Sequence, residues 1–162
     1  MNEREALASQ LYGESSHKHH LHALEGLDAA LAGRRIGRAE HTVFQILQHM
    51  TYWQDISLAR LSSESPPRPK SAALGWAAPE APEDESDWQA AIACFAEGLR
   101  SLEALVLEPR FDLGKLVQPD RGITAREELL MIQAHNSYHL GQIVLLRQEL
   151  GAWPPPRGGD TW

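Results

Sequence analysis

The apolar residues of this chain return at intervals of three and four along nearly its whole length, and no stretch holds the two-residue alternation of a half-buried strand. That periodicity predicts an all-α fold. Thr42 with Gln45, Ser86 with Gln89, and Thr124 with Glu127 each have the form of a capping box. In such a box each side chain satisfies a backbone donor that the first helical turn leaves orphaned. These three positions therefore read as helix starts.

Four main helices are expected. The first covers 16–32, with Leu21, Leu24, Leu27 and Leu31 on one face, and a short extra helix over 3–12 precedes it and ends at Gly13. Gly33 and Gly37 then break the pattern. The second starts at Thr42 and buries Val43, Ile46, Leu47, Met50, Trp53 and Leu61. The third opens at Ser86 and runs to Leu107 over a stripe of Trp88, Ile92, Phe95, Leu99, Leu102 and Val106. The fourth opens at Thr124, continues to Leu150 and stops at Gly151.

Connection lengths order these helices. The first two are joined closely and should be antiparallel neighbours. Segment 62–86 carries Pro66, Pro67, Pro69, Pro79 and Pro82 among acidic residues, a composition that cannot sustain a helix and reads as a long surface connection. Such a connection can travel the length of a bundle, so the third helix can run parallel to the second, with the fourth returning. The expected architecture is an up-down-down-up four-helix bundle forming a single domain over 1–162, with an extended Pro-rich tail at 151–162.

Composition narrows the function classes. A hydrophobic fraction of 43% in 162 residues suits one domain with a real core. The net charge of -7 argues against nucleic acid as a partner, because phosphate-binding domains are usually basic. No apolar run is long enough to cross a bilayer, and the start of the chain is polar, unlike a signal peptide. The single cysteine, Cys94, excludes an intrachain disulfide and fits a cytoplasmic setting. Beside Phe95 it reads as a small core residue, since nothing nearby in sequence would lower its pKa.

The eight histidines matter by position. His135 and His139 are four apart on the fourth helix, so both rings leave one face, a turn apart, on the stripe that holds Ile132, Ile143 and Leu146. His49, between Ile46 and Trp53, edges the core stripe of the second helix. If those two helices touch, three imidazoles meet at similar depth, which with an open fourth position is a catalytic type of metal site. Zinc, nickel, iron and manganese all accept nitrogen ligands. The alternative is a hydrogen-bonded core cluster. The residue after His135 is Asn136 rather than the Glu of a zincin helix, so no base is built into the motif. Tyr52 and Gln142, each one turn from a presumed ligand, are candidates for pocket groups or ligand-orienting partners, or else ordinary core hydrogen-bonders. The run His17, His19, His20, His22 reads mostly as solvated surface, though His17 or His20 can turn inward and line a pocket mouth. His41 is expected to be exposed.

The segments 49–54 and 135–142, the ending 145–155 and the stretch 23–27 resemble the DinB/YfiT superfamily of metalloenzymes. The resemblance covers nearly the whole chain except the Pro-rich connection. It implies the same bundle, and a metal triad on His49, His135 and His139 holding zinc or nickel with solvent completing the shell. Homodimers are common among such proteins. Relatives of known activity include transferases and isomerases that use bacillithiol, mycothiol or glutathione, and the family name refers to DNA-damage-inducible expression, hence a stress response. The expected function is a metal-dependent thiol S-transferase, with a metal-dependent hydrolase or a non-catalytic metal-binding dimer as alternatives.

Overall fold

Thr42 begins the helix on which the others pack. Its hydroxyl accepts from the Gln45 amide while Gln45 Oε1 accepts from the Thr42 amide, each at 3.2 Å, and the helix then runs over Val43–Leu61. In the computed structural model, which describes residues 1–13, 16–62, 64, 66, 69–76 and 79–159, six helices are present among the described residues. They are α1 (Glu3–Leu11), α2 (His20–Leu24), α3 (Ala29–Ala32), α4 (Val43–Leu61), α5 (Glu85–Leu107) and α6 (Ala125–Glu149). The fold is all-α apart from a small ribbon. Pro67 of the Pro-rich connection and 160–162 of the tail lie outside the described residues.

α4 packs against both α5 and α6, while α1 and α2 each pack against both α5 and α6. His49 meets His135 at one end of the α4–α6 seam and Arg60 meets Glu128 at the other, so these two helices run in opposite directions. The core has two parts. Phe44, Leu47, Trp88, Phe95 and Leu99 anchor one, and Leu61, Leu102, Val106, Leu129 and Ile132 the other. Trp88 is fully buried, and its indole N–H donates to the Leu27 carbonyl at 2.8 Å, satisfying the one polar atom of the ring. A polar link crosses the same interior. Asn136 Nδ2 donates to Gln54 Oε1 at 3.0 Å and Gln54 Nε2 donates to the Phe95 carbonyl at 3.1 Å, tying α6 to α4 to α5.

Several expectations are corrected. The single helix over 16–32 is instead α2 and α3, because Gly26 takes φ 76°, and Asp28 starts a new helix by accepting from the Leu31 amide at 2.8 Å. Its leucine spacing survives the break, which is why periodicity alone did not reveal it. The Ser86 box does not form. Asp84 is the cap of α5, accepting from the Asp87 amide at 2.9 Å. A short antiparallel ribbon joins β1 (Leu116–Gln118) to β2 (Ile123–Thr124) around Gly122, whose φ of 68° suits the tight return. Five strand residues are too few for an alternation to register. Cys94 is exposed rather than a core residue, because it points away from the α5 stripe of Ala91 and Phe95. His20 is buried.

Part of the Pro-rich connection is structured too. Ala72–Trp76 forms a 3-10 turn packed on α4. His41 is half-buried, with its ring stacked on Trp76 at 3.7 Å and 5°. No helix among the described residues is long and apolar enough to cross a membrane.

Candidate metal centre

The capping box at Thr42 places His49 about two turns into α4, and the box at Thr124 sets the phase of α6 that turns His135 and His139 the same way. Their rings converge: His49 to His135 at 5.1 Å between centroids, His49 to His139 at 4.7 Å, and His135 to His139 at 4.4 Å. One nitrogen from each lies within 4.8 Å of the others, an arrangement that can hold a metal ion. His49 Nε2 and His135 Nε2 stand 3.2 Å apart. Two nitrogens ligating one tetrahedral ion at about 2.0–2.1 Å would stand about 3.3–3.4 Å apart, so this pair has the separation such a site needs.

Hydrogen bonds fix which nitrogens are free. His49 Nδ1 lies 2.9 Å from the Gly75 carbonyl, which can only accept, so Nδ1 carries the proton and Nε2 presents its lone pair. His139 Nδ1 likewise donates to Gln142 Oε1 at 2.6 Å, leaving its own Nε2 bare. A partner on the far nitrogen is the usual device for orienting a metal-binding imidazole. His135 Nδ1 is buried without a partner, and a metal on its Nε2 requires the proton to sit on that Nδ1.

Electrostatics keep the rings neutral. Burial pushes His49 down to about 4, with the neighbouring His139 and His41 adding to it against the Gly75 hydrogen bond. Burial, then His139 and His49, lowers His135 to about 4. Burial also lowers His139. The neutral imidazole is the form that ligates a divalent cation, and the lone pairs fixed on His49 and His139 lie beside His135 Nε2, which shares a 3.2 Å hydrogen bond with His49 Nε2 and can give up that proton to Nδ1. The residues present therefore fit a metal.

Aromatic rings wall the centre. Trp76 lies flat on His49 at 3.7 Å and 9°, so that His41, Trp76 and His49 form a continuous stack, and Trp53 meets His49 and His135 edge-on at 6.3 and 6.2 Å. Neither Trp76 nor Gly75 was singled out from sequence. The available signal was the short apolar run from Ala72 to Ala78, with Trp76 in it, inside a Pro-rich segment.

Of the other sequence candidates, Gln142 joins the centre through His139. Tyr52 meets Trp53 edge-on at 5.5 Å, with no hydrogen bond or ring contact to the three imidazoles. His17 is held elsewhere, its Nε2 2.8 Å from Ser137 Oγ and its Nδ1 2.9 Å from the Lys18 carbonyl. Ser137 leaves α6 on another face than His135 and His139, so His17 is not brought to the centre.

Fold and centre together define a class: a helical protein with a three-histidine, metal-capable centre at the seam of two antiparallel helices. The chain belongs to the DinB superfamily, whose family model matches residues 14–143. No curated protein and no solved structure gives a significant match.

Proposed function

We propose that this protein is a divalent-metal-dependent enzyme of the thiol-transferase type, with His49, His135 and His139 as ligands and a low-molecular-weight thiol of the bacillithiol, mycothiol or glutathione kind as one substrate. The observation that carries this reading is that the proton-free nitrogens of His49 and His139 are both Nε2, each fixed by a hydrogen bond on the far side of its ring. Bound zinc or nickel would supply a Lewis acid with an open position, able to lower the pKa of a thiol as it lowers that of water. The chain's own residues do the rest. Gly75 and Gln142 hold the ligand tautomers, and Trp53 and Trp76 wall the centre beside His49. The carboxylate nearest along α6, Glu128, already accepts from Ser57, Arg60 and Gln118. A nucleophile activated by the metal, with no free carboxylate near it on α6, suits a thiol, which the metal itself can deprotonate.

The same reading takes 1–162 as one cytoplasmic four-helix bundle domain of up-down-down-up order, active in a stress response as a homodimer. Met131, Ala134, Tyr138, Gly141 and Leu145 are all exposed on α6 at alternating intervals of three and four, the spacing of a seam that a helix buries against its copy. Tyr138→Glu with Leu145→Glu should convert a dimer to a monomer by light scattering, and a wild-type monomer would remove that part of the reading.

The activity test uses zinc- or nickel-loaded protein with each of the three thiols and monochlorobimane. Thiol conjugation that requires the metal and disappears in His49→Ala is expected. No metal-dependent rate with any thiol, or metal-dependent ester hydrolysis in its place, would overturn the assignment.

A further inference from the structure

A second constellation lies at the other end of the α4–α6 seam. A cavity of about 360 Å³ opens there, reaching from His135 past Trp53 and Ile132 to Arg60, Arg121 and Glu128. Its size is that of a small-molecule site. The polar end is built from buried parts. Glu128 is 1% exposed, and its two oxygens accept from Ser57 Oγ at 2.8 Å, Arg60 Nη1 at 3.0 Å and Gln118 Nε2 at 2.5 Å. The Arg60 side chain is only 10% exposed. Arg121, on the 3-10 turn Pro119–Arg121, reaches Gln118 Oε1 with one nitrogen at 3.3 Å.

Counting the charges that face this cavity decides its ligand. Glu128 balances one arginine and accepts three hydrogen bonds from protein donors. The other Arg60 nitrogens make no hydrogen bond among the described residues, and Arg121 has no carboxylate partner among them. Among the described residues, the lining therefore carries one uncompensated positive charge and a set of unused guanidinium donors, against a wall of Trp53, Met131 and Ile132. A planar monoanion with an apolar body complements it, and guanidinium donors match a carboxylate in shape as well as charge.

We propose that this cavity is the substrate pocket of the centre and binds the carboxylate of a small organic anion at Arg60 and Arg121, so that the rest of the ligand points at His135. That the far end of the ligand carries sulfur rests on the metal-centre reading above. The carboxylate site does not depend on it. Seven residues of α6 separate Glu128 from His135, about 10 Å of helix rise, close to the length of an extended six-carbon acid with sulfur at its other end.

The test compares 6-mercaptohexanoate with 6-mercaptohexanamide on zinc-loaded protein, and hexanoate with hexanamide on metal-free protein, by calorimetry. Zinc stoichiometry is measured on the same samples. Each acid should bind about ten-fold or more tighter than its amide, as one charge-assisted hydrogen bond requires. Arg121→Gln, at an exposed residue, should reduce that preference to about three-fold or less. Glu128→Gln should strengthen it by freeing Arg60. Equal binding of acid and amide, a preference untouched by Arg121→Gln, or tighter binding of inorganic phosphate than of hexanoate would overturn the proposal. Hexanoate selectivity in protein that takes up no zinc supports the pocket while refuting the metal centre.

Discussion

Gly75 is where the account of His49 is easiest to break. A methyl built on it would stand 2.9 Å from His49 Nδ1, 3.1 Å from His49 Cε1 and 3.2 Å from Trp53 Nε1. Comfortable contact begins at about 3.5 Å, so in Gly75→Ala the 72–76 turn has to retreat by about half an ångström. That retreat lengthens the bond from His49 Nδ1 to the Gly75 carbonyl and lifts Trp76 from the ring. Losing the partner that orients a metal-binding histidine typically costs about 10–100-fold in affinity, or roughly 1.4–2.7 kcal/mol. Competition with a chromophoric zinc chelator measures this directly. Cys94→Ala, at an exposed α5 position away from the centre, is the control and should leave zinc affinity unchanged. Wild-type affinity in Gly75→Ala would refute the claim that this carbonyl orients His49.

Three other outcomes are expected. Burial, reinforced by the charge of His17, lowers His20 to about 3, so the unfolded chain takes up a proton below about 6.5 that the folded one refuses, and stability falls with pH in that window. Between pH 7 and pH 5 this one group should account for about 2 kcal/mol of the loss in urea denaturation of metal-free protein, and His20→Gln should lose that much less. An unchanged pH slope would show that His20 titrates normally. Asn136→Leu strips the donor from buried Gln54 Oε1 and should destabilise the fold by about 1–3 kcal/mol while weakening zinc binding, because the α4–α6 link goes with it. Zinc affinity at the wild-type level would mean that the link does not position the ligands. Thr124→Ala removes the α6 cap and should cost about 1 kcal/mol, read as a melting point lower by about 2–4 °C.

What was legible in the sequence was whatever one helix encodes by itself. α4 and α6 were readable because a capping box and a continuous apolar stripe agree, and the phase of each helix then placed His49, His135 and His139 on inward faces. The Asn136 position was read only for what it excludes. Its positive role, the hydrogen bond to Gln54, depends on a partner 82 residues away, a separation that no local pattern reports. The same holds for the Gly75 carbonyl and the Trp76 stack, which come from a connection whose prolines conceal a packed turn. The break at Gly26 was visible as a glycine two residues before a capping Asp28, but the leucine spacing across it outweighed that signal. Glu128 could have been flagged as an acidic residue sharing the stripe of Ile132, His135 and His139. Its neutralisation by Arg60 could not, because that pairing exists only once α4 and α6 lie antiparallel.

The central claim is that three imidazoles from two helices form a metal centre, and metal content tests it most directly. Protein prepared without a histidine tag, supplied with zinc or nickel and then freed of excess metal, should hold one equivalent by elemental analysis. His49→Ala, His135→Ala and His139→Ala should each hold close to none while keeping the helical circular-dichroism spectrum. Wild-type protein that retains no metal after exposure to both ions, or a triple variant that retains as much as wild type, would contradict the account.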